Sequence, residues 1–187
     1  MKPAATKMTY DQYCLLPDDG KQYELIDGEL FVTPAPTPKH QDIVGQLYAR
    51  LLAYVKANAL GKVYIAPVDI LLDDHTVVQP DILFIRQDRL SIVGQKVVAA
   101  APDLVVEVLS PSTFHIDLRR KMATYSQFGV QEYWIADPLR RLVEVYRREG
   151  EGLRLATTLS DGETLTSPLL PGFACPISSL WLPPVSG

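Results

Sequence analysis

The stretch DLVVEVLSPST, Asp103–Thr113, carries the most information about the fold. Leu104, Val105 and Val106 are apolar at consecutive positions and Val108 follows after Glu107, so both faces of this segment seek burial. That pattern predicts a strand at the centre of a sheet covered on both sides. Ser110-Pro111-Ser112-Thr113 ends it. A helix is predicted next, from about His115 to Phe128, with Leu118, Met122 and Tyr125 on its inner face and Gly129 closing it. VQEYWIAD, Val130–Asp137, is then a second strand. A strand, a helix and a strand in this order call for a right-handed crossover and parallel neighbours.

Working outward, VQPDILFI, Val78–Ile85, reads as another strand, with Pro80 near its entrance, where a missing amide proton is tolerated. Before it, KVYIAP and VDILLD read as strands interrupted at Pro67, and DDHT as a turn. A helix is expected from Lys39 to Asn58, because Ile43, Leu47, Leu51 and Tyr54 recur at helical spacing, and Gly61 is placed to end it. TYDQYCLLPDDG suggests a short helix with Thr9 as its N-cap. KQYELIDGELFVTP suggests a hairpin turning at Asp27-Gly28. Downstream, LVEVYRRE should pair with VQEYWIAD across Asp137-Pro138, LRLATTLS and ETLT should extend that meander, and LLPGFACPISSLWLPP should cap it with a helical turn near Ser178–Leu180. The expectation is one α/β domain over residues 1–187, its core at about 9–181. It comprises a mixed β-sheet flanked by helices, an N-terminal hairpin and a C-terminal antiparallel meander.

The chain has 187 residues, 47% of them hydrophobic and 21% charged, which suffices for one sizeable core. No apolar run reaches the ~18 residues of a membrane span, and MKPAATKMTYDQY lacks the apolar core of an export signal. With two cysteines only, Cys14 and Cys175, the expectation is a cytoplasmic protein with reduced thiols. A formal net charge of −4 argues against indiscriminate nucleic-acid binding while allowing a local basic surface.

Within these apolar strands stand two acids, Asp81 and Glu107. A carboxylate there loses hydration at a cost of several kcal/mol unless a partner offsets it, and two close carboxylates also repel. A divalent cation resolves both problems. If the strands are neighbours, ~4.8 Å apart, the two side chains can share one ion, with the Val108 carbonyl as a further ligand. Oxygen donors without a Cys/His cluster point to Mg²⁺ or Mn²⁺. Lys121, on the following helix, lies one turn from Asp117 and another from Tyr125, within reach of that site. Glu24 in the hairpin can hold a metal or a water, and His40 at the start of the long helix can contact a phosphate or shuttle a proton. Asp73-Asp74-His75 resembles a ligand cluster but reads as a solvated turn.

These residues, in this element order, resemble the PD-(D/E)XK restriction-endonuclease-like superfamily, and more closely its Uma-type branch. YELIDGEL, PTPKHQ, VQPDILFI, APDLVVEVLSPST, HIDLRRKMATYSQFGVQEYWIAD and LPGF carry the resemblance, over roughly residues 9–181. It implies metal-dependent hydrolysis of phosphodiester bonds in DNA, with Asp81 and Glu107 as the motif acids. The usual Lys, two positions after the second acid, is replaced by Leu109, and the resemblance implies that Lys121 has taken its role. Two other readings stay open: a nuclease-fold binding or assembly module without turnover, and a carboxylate-pair enzyme of the glycosidase type. A homodimer is also expected, since the late meander leaves an open edge.

Overall fold

The structure, a computed structural model, describes residues 7–110 and 116–181, with backbone alone for residues 116 and 117. The predicted Pro111–Thr113 turn, the His115 helix start and the Asp117 side chain lie outside the described residues.

The chain opens with helix α1 (Tyr10–Tyr13), capped by Thr9 in a reciprocal capping box with Gln12. Hairpin β1 (Gln22–Ile26) and β2 (Glu29–Thr33) turns at Asp27-Gly28, both at positive φ, as a tight primed turn demands. Helix α2 (Pro38–Ala57) follows, capped by Thr37. Strands β3 (Gly61–Ile65), β4 (Ile70–Asp73), β5 (Thr76–Val78) and β6 (Ile82–Arg86) lead to a 3₁₀ turn at Gln87–Ile92. Then come β7 (Leu104–Val108), α3 (Ile116–Gln127), β8 (Glu132–Asp137), β9 (Leu142–Glu149) and β10 (Gly152–Ser160). A last hairpin, β11 (Thr164–Ser167) with β12 (Leu170–Pro176), ends in a 3₁₀ turn at Ile177–Leu180.

A six-stranded sheet of order β10-β9-β8-β7-β6-β3 forms the centre. As expected, β7 is interior: it runs parallel to β8 and antiparallel to β6. Alternation along β7 feeds two cores. Leu104, Val106 and Val108 face Ile43, Leu47 and Leu51 of α2, together with Trp134 and Phe173. Val105 packs on the other face, with Tyr125, Leu83 and Tyr133, under α3. Each fully buried Leu or Ile contributes roughly 1.5–3 kcal/mol, so a helix on each face is what keeps a strand with no polar side in place.

Three expectations are corrected. VQPDILFI is not one strand: β5 belongs to a four-stranded sheet of order β2-β1-β5-β4, β6 to the central sheet, and Gln79-Pro80-Asp81 is the crossing between them. Pro80 has no amide hydrogen for a ladder and disfavours helical geometry at Gln79, so the chain changes sheet there. ETLT does not extend the meander of β8, β9 and β10; as β11 it pairs with β12. Gly61 does not end α2, whose cap is Asn58, followed by Ala59 at φ 52°. Gly61 instead opens β3 opposite Arg86. Cys14 and Cys175 are both free, as expected.

Candidate active site

The break at Gln79-Pro80-Asp81 places Asp81 at the mouth of β6, one step beyond the last paired positions, Ile82 opposite Val106. Its backbone is held by Ala66, whose N–H donates to the Asp81 carbonyl at 2.9 Å. Its side chain reaches across to β7, where the Val108 N–H donates to Oδ2 at 2.7 Å. His40, at the start of α2, brings Nε2 to 3.2 Å from the same oxygen. The N-terminus of α2 therefore supports the site directly, closer than its distance in the chain suggested.

Glu107 leaves β7 on the α3 side. Two donors from α3 converge on its Oε1: Lys121 Nζ at 3.0 Å and the Tyr125 hydroxyl at 2.9 Å. Lys121 Nζ lies equally 3.0 Å from Oε2 of Glu24 on β1. Lys121, Glu24 and Glu107 are almost withdrawn from water, with side-chain exposures of 12%, 5% and 13%. Glu24 is aimed in turn by the Gln79 N–H, which donates to Oε1 at 2.7 Å. The Gln79 side chain donates to Asp69 Oδ1 at 2.6 Å, and that oxygen also accepts from the Tyr13 hydroxyl at 3.1 Å.

All five predicted residues thus belong to one constellation: Asp81, His40, Glu107, Lys121 and Glu24. Asp81, His40, Glu107 and Lys121 line a cavity of about 220 Å³ that is also bounded by Gln41, Ser110 and Tyr133. Asp73, Asp74 and His75 stand apart; His75 Nδ1 lies 2.8 Å from the Met8 carbonyl in a turn. The sequence reading missed the support of Glu24 by Gln79, Asp69 and Tyr13. Polar residues beside an X-Pro break are the one local signal that pointed there.

The charges follow from this packing. Burial pushes the Glu107 carboxyl up to about 7; Asp81 and Glu24 push the same way, and Lys121 opposes them. Lys121 is raised: burial disfavours its charge, but the two carboxylates outweigh that. For His40, burial disfavours the cation, yet the hydrogen bond and charge of Asp81, with Glu107, carry its pKa upward. Tyr125 is held well above its usual range by burial and by Glu107, so it acts as a donor.

The donor set suits a hard cation. The contacts described use Oδ2 of Asp81 and Oε1 of Glu107, leaving Oδ1 and Oε2 outside them. Among the described residues no three His, Cys, Asp or Glu side chains form a closed metal cage. Two carboxylates lining an open cavity are compatible with Mg²⁺, which keeps several waters and takes few protein ligands.

The site thus sits on a mixed sheet with helices on both faces, with paired acids at the mouths of adjacent strands. The sequence pattern of the Uma2 family, described as "Putative restriction endonuclease", matches residues 9–178, and the chain belongs to that family. Its fold is similar to a crystal structure described as a "putative nuclease belonging to DUF820" from Anabaena variabilis ATCC 29413. The two are 22% identical, with a TM-score of 0.77 over 93% of this chain and 97% of that one. No curated protein matches the chain. No helix among the described residues is long and apolar enough to cross a membrane.

Proposed function

We propose that this chain is a metal-dependent endonuclease that hydrolyses phosphodiester bonds in DNA. The observation that carries the reading is the position of Lys121: its ammonium stands 3.0 Å from both Glu24 and Glu107, on the helix that follows the second acid. It thereby supplies from α3 the cation missing at Leu109.

Asp81, Glu107 and the Val108 carbonyl are the residues that would hold Mg²⁺ or Mn²⁺. When bound, such an ion neutralises phosphate charge and acidifies water. The chain's own groups do the rest. Lys121, kept cationic by its carboxylate neighbours, stabilises charge developing on the phosphate oxygens. Glu24, fixed by the Gln79 amide, holds Lys121 in place. His40 steadies Asp81 and can carry a proton at Nε2 towards a departing oxygen.

The test is nicking of a supercoiled plasmid with Mg²⁺ or Mn²⁺, by the wild type and by Asp81→Asn and Lys121→Met. Metal-dependent nicking that both substitutions abolish supports the reading; nicking that survives both would refute it.

One observation favours a second reading, a nuclease-fold binding module without turnover. Lys121, Glu24 and Glu107 satisfy one another without any metal ion, as a purely structural ion triad would. Under that reading the wild type binds a partner and never cuts, whatever metal is added.

A further inference from the structure

The turn between β8 and β9 reads Asp137-Pro138-Leu139-Arg140-Arg141. Its backbone is held by hydrogen bonds, and it presents an apolar side chain to solvent. Asp137 is 2% exposed, and its Oδ1 accepts the N–H groups of Leu139 and Arg140 at 2.9 and 3.0 Å. Arg141 adopts a φ of 54°, and its guanidinium pairs with Asp161 at 2.8 Å. Lys39, next to His40 on α2, reaches the Pro138 carbonyl at 3.3 Å and ties the turn to the site. From this base Leu139 projects with 69% exposure, an apolar side chain with no core to join.

Three cavities meet here, and Leu109 lines all of them. The first is the candidate active site. The second, about 80 Å³, shares His40 and Ser110 with it and is bounded by Lys39, Pro138 and Leu139. The third, about 220 Å³, lies beyond Leu118 and is bounded by Arg119 and Arg140. Neither Arg119 nor Arg140 has an ion-pair partner among the described residues, whereas Arg89, Arg120, Arg141 and Arg147 each have one. Asp137 and Glu144 line this third cavity as well; Asp137 Oδ1 accepts the turn amides, Glu144 Oε2 accepts the Tyr146 hydroxyl at 2.8 Å, and among the described residues neither acid is ion-paired with an arginine. On a chain of net charge −4, Arg119 and Arg140, unpaired among the described residues, stand with Lys39 at one end of the acidic cleft, beside an exposed apolar tip.

We propose that this surface is the docking site for the DNA that flanks the bond to be cut. Arg119 and Arg140 take backbone phosphates beyond the scissile one, Lys39 takes a phosphate nearer the cleft, and Leu139 packs against an exposed base or sugar. The charge pattern fits a polyanion whose scissile phosphate lies over Asp81 and Glu107. Leu139, backed by Pro138, is the kind of apolar wedge that seats against base steps. The inference rests on the nuclease reading and adds the direction in which the substrate leaves the site.

The test is fluorescence anisotropy of a labelled DNA duplex with the full chain. Ca²⁺ serves as the hard cation, and a gel confirms that the probe stays intact. Each phosphate contact contributes about 0.9 to the slope of log affinity against log salt. Arg119→Ala with Arg140→Ala should lower that slope by about 2 and weaken binding roughly ten- to a hundredfold at low salt. Leu139→Ser should weaken binding severalfold and leave the slope unchanged, because it removes apolar contact and no charge. Arg154→Ala, on exposed β10, should bind as the wild type does. If the wild type binds DNA while the double variant keeps both its affinity and its slope, this docking surface is wrong, and the nuclease reading stands or falls separately on plasmid nicking by the wild type. If the wild type neither binds nor nicks any DNA, both fall together.

Discussion

Lys121 Nζ and Glu107 Oε1 lie 3.0 Å apart, although one is on a helix and the other on the strand that precedes it. The ammonium arrives at the acid from outside the sheet, where a Lys two residues after Glu107 would have come from the strand itself. Its second partner, Glu24, belongs to a different sheet, so one cation joins the hairpin, the central sheet and α3. Replacing it with Met leaves two buried carboxylates facing each other. Lys121→Met should therefore destabilise the metal-free protein by about 3 kcal/mol, read by urea unfolding. Because Mg²⁺ can replace part of the lost charge, the rise in melting temperature on adding Mg²⁺ should be larger for this variant than for the wild type.

The raised Glu107 carboxyl sets a pH dependence. Its folded value of about 7 lies above the ordinary 4.5, so the folded state holds this proton more tightly than the unfolded chain does. The resulting stability is fully present below about pH 4.5 and is lost as pH rises through about 7. In metal-free protein, the melting temperature of wild type relative to Glu107→Gln should fall between pH 5 and 8. Cation binding needs the ionised carboxylate, so the Mg²⁺-induced rise should grow over the same interval. A Mg²⁺ effect that is flat from pH 5 to 8 would argue against Glu107 as a ligand.

Tyr125 offers a milder perturbation of the same acid. Its hydroxyl donates to Glu107 Oε1 at 2.9 Å, which favours the ionised form. Tyr125→Phe removes that donor with little change in shape and should cost about 1–2 kcal/mol of stability. Under the proposed nuclease reading it should also move the acidic limb of the cleavage–pH profile upward by roughly 1 unit, since 1.36 kcal/mol corresponds to one unit. A packing role alone would leave that limb where it is.

Much of this was legible in the chain. Glu107 amid Leu104–Val108 announced a buried acid because a two-sided apolar strand offers it no water, and the spacing of Lys121 to Tyr125 put both on one helix face. What was not legible were features set by distant backbone. Asp81 owes its position to a change of sheet at Pro80, to the Ala66 amide and to the Val108 amide; Pro80 marks a break in the ladder, but neither amide contact has a local pattern. The reach of His40 to Asp81 depends on how α2 crosses the sheet, which periodicity along α2 does not specify. Strand β11 reads as a continuation of the meander because alternation marks a strand without naming its neighbour.

Gly61 shows how a correct residue can be given the wrong reason, and it supplies a test of the fold that is independent of the site. Its φ of 147° is open mainly to glycine, and a Cβ placed there would lie 2.0 Å from the Ile85 carbonyl oxygen. The constraint is close approach of β3 to β6, because Gly61 pairs opposite Arg86 at the start of the ladder. Gly129, at φ 89° after α3, has open space where a Cβ would stand, with no neighbour within 4 Å. Gly129→Ala therefore bears conformational strain alone, about 1–2 kcal/mol. Gly61→Ala bears that strain and must also push backbone away from backbone, and it should cost more than about 3 kcal/mol. Urea unfolding of the two variants side by side decides the matter: equal losses would mean that β3 does not approach β6 as closely as this register requires.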